Sequence, residues 1–295
     1  MEAVSKGLNK GYFSVETPEQ GVTVVDFTKY EGENIWTKER LDAFLEIIEQ
    51  LEQNPPEKGV IFLMGDHYGA DIFFFAGATQ EEFLEFIQKI NLAFNKIEAL
   101  KCQTVAVFGS CFGGGLELAL ACKKRIGIEH PKAKIGQTEV NFGLIPGAGG
   151  TVRLPRIIGT EAIPLIVNGE KIDADTALRI GLIDEKIQET ENPYDKARKM
   201  LEEEVNEKEK RNFDVDEIRN TIRQRINLYE LENVQMAALN AVVAGMRNAN
   251  EKTPVLDPFK IEQYWFWTLN PDDRFKAIAT FLATRNRVED LMDLI

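Results

Sequence analysis

Two glutamates are the lone charges of two long apolar stretches. Glu117 sits in VAVFGSCFGGGLELALAC (Val105 to Cys122) and, cysteines aside, is the sole ionisable acid or base between Lys101 and Lys123. Glu139 is alone in the same way between Lys134 and Arg153, in IGQTEVNFGLIPGAGGTV. A carboxylate is costly to bury ionised, so burial would raise the pKa of either one. Close approach would split the pair further and let one act as acid and the other as base. A lone buried glutamate is usually a satisfied structural residue. Two in matching contexts put acid–base chemistry level with that reading.

The glycines beside Glu117 supply the other half of such a site. Without β-carbons, Gly113 to Gly115 let a substrate approach the backbone, and free N–H groups at a helix start favour negative charge. Glu117 lies about one helical turn after Gly114, so its carboxylate reaches over the same spot. A second N–H on another loop would complete an oxyanion hole, each donor worth about 3–4 kcal/mol in typical variants. GADI (Gly69 to Ile72), just past the apolar run GVIFLMG, offers such a loop, although alone it reads as a polar turn.

Two rival chemistries fit the stretch less well. Gly109-Ser110-Cys111-Phe112-Gly113 has the G-x-C-x-G form of a nucleophile elbow. The only histidine after it is His130, and a thiolate without its base loses most of that mechanism. Neither the glycines at 109–115 nor PGAGGT (Pro146 to Thr151) fits G-x-G-x-x-G, and neither has the lysine of a phosphate loop. Cys111 then reads as a small turn or core residue.

The elements that must position these residues alternate in type. YFSVET (Tyr12 to Thr17) and VTVVDF (Val22 to Phe27) read as a hairpin. TKERLDAFLEIIEQLEQ has a helical period with Thr37 as its N-cap. GVIFLMG (Gly59 to Gly65) and TVAVFG (Thr104 to Gly109) are strand-length apolar runs, with a helix near 80–100 between them. A further helix begins in the glycine cluster, and RIGIE (Arg125 to Glu129) and AKIGQ (Ala133 to Gln137) read as short strands. This order predicts an α/β protein of buried sheets flanked by helices. Residues 190–225 are dense in charge, yet Ala197, Met200, Leu201 and Val205 keep an apolar stripe, so exposed helices are expected. Residues 230–295 read as helical again, with aromatic clusters around Tyr264, Trp265, Trp267 and Phe281 that suit a core or a subunit interface.

Composition limits the partners. Thirty-five basic against 48 acidic residues give a net charge of −13, which argues against nucleic acid or an anionic membrane. No apolar run approaches the ~20 residues of a membrane span, and MEAVSKGLNK does not read as a signal peptide. A soluble, cytoplasmic protein is expected. The three cysteines (Cys102, Cys111, Cys122) have no zinc spacing, and with two histidines a histidine-rich metal site is not expected.

Taken together, YGADI, FGSCFGGGLELALAC and AKIGQTEVNFGLIPGAGGTVRLPRIIG resemble the enoyl-CoA hydratase/isomerase (crotonase) superfamily. The resemblance runs to about Ile187, where ADTALRIGLIDEKI is similar to the segment closing the family core. FLATRNRVEDL and the C-terminal segment resemble the helical extension of the hydratase portion in multifunctional fatty-acid oxidation α-subunits. The resemblance implies a spiral of repeated ββα units over residues 1–190 and a helical C-terminal region over 191–295 serving oligomerisation or partner contact. It implies that backbone N–H groups of Ala70 and Gly114 hold the thioester oxygen of an acyl-CoA. Glu117 matches the glutamate that deprotonates water for attack at Cβ, and Glu139 the one that exchanges the proton at Cα. Tyr68, Gly69, Asp71, Ile72, Gly113, Pro146 and Gly147 fall at substrate-binding positions.

The activity so implied is reversible hydration of a trans-2-enoyl-CoA without metal or redox cofactor, coenzyme A being part of the substrate. A Δ3,Δ2-enoyl-CoA isomerase or another acyl-CoA lyase is the alternative within the fold, and a catalytically silent assembly homologue the alternative outside it. A homo-oligomer is expected, with a dehydrogenase or thiolase as a further partner. Two departures from the family pattern bear on the CoA head-group contacts and on chain-length preference. Phe73, Phe74 and Phe75 stand where many members carry a lysine, and Tyr68 replaces a smaller residue.

Overall fold

Period and length translate into elements along most of the chain. A computed structural model describes residues 11–203, 213–227, 231 and 233–249. Residues 11–71, 79–135 and 172–203 form one unit, and 72–78, 136–171 and the described residues from 213 onward form a second.

The first unit is built on a parallel-rich sheet. β1 (Ser14–Glu19) and β2 (Val22–Asp26) form the expected antiparallel hairpin. β3 (Gly59–His67), β4 (Gln103–Phe112), β5 (Lys124–Glu129) and β7 (Glu185–Gln188) then continue from β2 as parallel strands in that order. Helix α1 (Lys38–Gln53) starts at Thr37, whose side chain accepts the Arg40 N–H. Helix α3 (Gln80–Ala99) packs against α1 and opens with a reciprocal cap between Thr79 and Glu82. Helix α8 (Pro193–Glu202) lays Ala197, Met200 and Leu201 against Val24, Ile61, Val105 and Ile126 of the sheet. Covered strands need apolar residues on both sides, which is why GVIFLM and TVAVF read as continuous runs rather than alternating ones.

Three boundaries differ from the sequence reading. β1 begins at Ser14 rather than Tyr12. β4 does not stop at Gly109 but runs on through Ser110 and Cys111 to Phe112. Pairing continues there because His67 on β3 comes opposite Cys111, while the Asp66 carboxylate accepts the Ser110 N–H. In Ala133–Gln137 only Ile135–Gly136 is strand, β6, with Ile135 and Ile172 exchanging both backbone bonds in an isolated bridge.

The second unit is mostly helical. It contains α2 (Ile72–Gly77), a 3₁₀ turn at Glu139–Phe142, α5 (Gly150–Ile158), α6 (Ala162–Val167), α9 (Val215–Arg225) and α10 (Asn233–Ala249). α10 packs on α5 and α6. α4 (Gly114–Ala121) and α7 (Ala174–Arg179) belong to the first unit. The expected stripe in the charged region is buried at Ala197, Met200 and Leu201, whereas Val205 lies outside the described residues. So do Tyr264, Trp265, Trp267, Phe281 and the segment FLATRNRVEDL. No described helix is long and apolar enough to cross a membrane.

Candidate active site

Two backbone loops meet in the first unit, and glycine makes the meeting possible. Gly69 has φ +87° and Gly113 φ +49°, both in the region where a β-carbon is disfavoured. A β-carbon at Gly69 would come 3.1 Å from Phe112 O and 3.6 Å from the Gly114 nitrogen. The chain past β3 thus runs directly against the turn between β4 and α4.

Each loop presents one N–H. Trp36 and Ala70 form an isolated parallel bridge. The Trp36 N–H donates to Gly69 O at 2.7 Å, and Trp36 O accepts the Asp71 N–H at 3.0 Å. In that pattern the bridged residue's own N–H faces the other way, so the Ala70 N–H turns from Trp36. Gly114 is the first residue of α4, where N–H groups have no intrahelical acceptor. Both residues are half-buried. Among the described residues neither N–H has a hydrogen-bond partner.

Glu117 lies in the first turn of α4 and is only 2% exposed. Its backbone N–H donates to Gly113 O at 2.9 Å, so the helix begins within the glycine cluster, as its composition predicts. Helical side chains lean toward the N-terminus, which directs this one toward the turn that carries Gly114. A negative charge there also meets the favourable end of the helix dipole.

Tyr68, also in this unit, stacks its ring on Phe112 with centroids 6.3 Å apart. Its hydroxyl is hydrogen-bonded to Asp66, and burial, with the nearby Asp66 charge, pushes its pKa up to about 12. Asp66 Oδ1 further accepts the Ser110 N–H at 2.5 Å and lies 3.3 Å from His130 Nε2. Tyr68, Gly69, Ala70, Asp71, Gly113, Gly114 and Glu117 are therefore gathered in one unit.

Ile72, Glu139, Pro146 and Gly147 belong to the second unit. Glu139 opens the 3₁₀ turn and is half-buried, unlike Glu117. The buried Gln137, with its amide nitrogen turned to the carboxylate, donates to both Glu139 oxygens at 2.8 and 3.1 Å. Pro146 and Gly147 are buried in the loop leading to α5. Ile72 opens α2, in which the Phe74 and Phe75 rings lie 5.5 Å apart.

Cys111 has no elbow geometry. It sits inside β4, fully buried, with its N–H bonded to Lys134 O. Burial pushes its thiol well above the ordinary range, and Asp66 and Cys122 add to the effect. The reactive form of a cysteine is the thiolate, so this one is inert. Among the described residues no group of three or more His, Cys, Asp or Glu side chains is placed to hold a metal ion.

Sequence reasoning missed Trp36, His67, Asp66 and Gln137. The spacing of Gln137, two residues before Glu139, was a usable signal. Trp36 acts on a partner 78 positions along the chain, and His67, although it accepts the N–H of nearby Gly69, carries no sequence pattern that marks that bond.

Comparison with known proteins agrees with this architecture. The family model described as enoyl-CoA hydratase/isomerase matches residues 17–240. A protein of Shewanella putrefaciens called fatty acid oxidation complex subunit alpha is 39% identical over 152 residues, or 49% of this chain. The match spans only 22% of that relative's length. In three dimensions, human mitochondrial delta3-delta2-enoyl-CoA isomerase superposes with a TM-score of 0.63 at 20% identity, covering 92% of this chain and 97% of its own. An enoyl-CoA hydratase from Bacillus halodurans gives a TM-score of 0.63 at 18% identity, covering 91% and 99%. Equal scores for a hydratase and an isomerase speak to a shared fold and do not divide the two reactions.

Proposed function

Because the chain belongs to the enoyl-CoA hydratase/isomerase family and has its α/β crotonase fold, we propose that it reversibly hydrates a trans-2-enoyl-CoA to a 3-hydroxyacyl-CoA. The observation that carries this reading is the pair of N–H groups on Ala70 and Gly114 that have no partner among the described residues, with Glu117 buried in the helical turn behind one of them.

In the proposed reaction the thioester oxygen accepts both N–H groups. Glu117 takes a proton from water, whose oxygen bonds to Cβ, and the π electrons move toward the carbonyl as an enolate. The negative charge grows on the oxygen facing Ala70 and Gly114, where fixed donors stabilise the transition state more than the ground state. Glu139, in its acid form, delivers a proton to Cα, so that one water has added across the double bond. Proton exchange with solvent then resets both carboxyl groups. No metal or redox group enters this scheme. Placed acids and bases of this kind typically contribute ~10²–10⁴-fold each.

Tyr68, Gly69, Asp71, Ile72, Gly113, Pro146 and Gly147 are proposed to contact the acyl-CoA. The relatives' description as a complex subunit motivates a further proposal, a homo-oligomer able to meet a dehydrogenase or thiolase, which sizing by light scattering tests. A cytoplasmic location belongs to the same proposal.

The deciding assay is loss of the conjugated enoyl-thioester absorbance with crotonyl-CoA and longer analogues. Hydration at one or more chain lengths supports the reading. Absence at every length overturns it, and conversion of a 3-enoyl-CoA alone would assign the site to isomerisation.

A further inference from the structure

Trp36 touches both loops that carry the candidate donors. Its backbone holds the first through the bonds to Gly69 and Asp71. Its indole N–H holds the second, donating to Gly114 O at 3.2 Å across 78 positions of sequence. A β-carbon at Gly114 would stand 3.1 Å from Trp36 Cδ1, so the indole edge lies flat against that turn. The ring is fully buried and wedged between Phe44 at 5.0 Å, Phe27 at 5.8 Å and Phe94 at 5.9 Å.

The residues before Trp36 are themselves tied down. Asn34 Nδ2 donates to Met64 O and Asp66 O at 2.6 and 2.7 Å. Arg40 reaches back to Glu33 O and Ile35 O at 3.3 Å, beneath the rings of Phe13, Phe27 and Tyr30. His67 supports the first loop from the side. Its Nδ1 accepts the Gly69 N–H at 3.2 Å, and its ring lies 5.2 Å from that of Trp36.

We infer that Trp36 is a positioning residue whose indole N–H sets the spacing between the Ala70 and Gly114 N–H groups. The inference rests on the reading of those groups as an oxyanion site. Backbone pairing alone would fix Ala70. Among the described residues the indole bond is the hydrogen bond that links the partner of that loop to Gly114 itself, and the pair must keep its spacing within about 0.5 Å to meet one oxygen. Phenylalanine at this position would fill the space among the rings but leave Gly114 O without its cross-loop donor.

The test compares the wild-type protein with Trp36→Phe. One readout is the red shift of the absorption band of 2,4-hexadienoyl-CoA on binding, which follows polarisation of the thioester carbonyl. The other is kcat and KM for crotonyl-CoA. The expected result is loss of most of the red shift, with kcat lower by about 10-fold and KM within about threefold, since a misplaced site loses rate more than binding. An unchanged red shift in a folded Trp36→Phe protein overturns the inference. So does a wild-type protein that binds the probe without shifting its band. If the wild type shifts the band but hydrates nothing, the hydratase reading falls and the band still decides the role of Trp36. Should Trp36→Phe not fold, 3-benzothienylalanine in place of Trp36 keeps the bicyclic ring and removes only the N–H, so both readouts apply again.

Discussion

Glu117 is mounted on backbone: it rides a helix that starts at Gly114, follows a glycine with positive φ, and is 2% exposed. Glu139 instead opens a short 3₁₀ turn, is half-buried, and has both oxygens gripped by the side chain of Gln137. A backbone mount tolerates changes in surrounding side chains and fails when its glycines acquire β-carbons. A side-chain clamp fails when one neighbour is trimmed. The two carboxylates proposed to share one reaction therefore have separate points of weakness.

The largest effects should come from the carboxylates themselves. Glu117→Gln and Glu139→Gln are each expected to lower kcat by at least ~10²-fold in the hydration assay. Full activity in either variant would remove that residue from the mechanism and the comparison with it. Next is Gly115→Ala, which attacks the backbone mount. A β-carbon there would stand 2.6 Å from His67 Nδ1, and overpacking a buried ring costs about 1–3 kcal/mol, readable as a lower midpoint in urea. Gln137→Leu attacks the clamp, and kcat should fall by about 10-fold, the size of one lost positioning contact, with the urea midpoint far less affected. If Gly115→Ala and Gln137→Leu gave the same profile, the two mounts would not differ in kind.

The smallest effect is a slope. His67 is fully buried, and burial together with the Arg40 charge holds its imidazole well below the usual 6.5. Its Nδ1 accepts the Gly69 N–H, so the proton sits on Nε2, which has no acceptor among the described residues. As pH falls below about 6.5 the unfolded chain takes up a proton that the folded chain refuses, and stability declines. One such group contributes at most about 1.4 kcal/mol per pH unit. Urea midpoints measured from pH 7 to 5 should show this decline, and His67→Leu should flatten it. An unchanged slope in the variant would assign the decline to other groups.

The elements were largely legible because their signals are local. Thr37 caps a helix with the expected period, the runs at 59–65 and 104–109 are strands, and the stripe Ala197, Met200 and Leu201 is buried. The glycine cluster starts a helix that carries Glu117 in its first turn. What the sequence hid depends on register between distant segments. Cys111 reads as a turn or core residue, and of the two the structure gives core, because His67 pairs opposite it and extends β4 to Phe112. Trp36 carries no local signal of its role, since its indole partner is 78 positions away. The Asp66 contacts with Ser110 and His130 form only when the ends of β3, β4 and β5 come together.

Helix α8 carries a practical consequence for work with fragments. Its three buried residues cover apolar positions on β2, β3, β4 and β5, although the helix is cut from the most charged segment of the chain. A truncated protein ending at residue 190, where the sequence resemblance places the edge of the core, would keep every described strand and lose this cover. The uncovered face would be flat, aliphatic and adhesive, so expression boundaries for crystallography or display belong beyond Glu202.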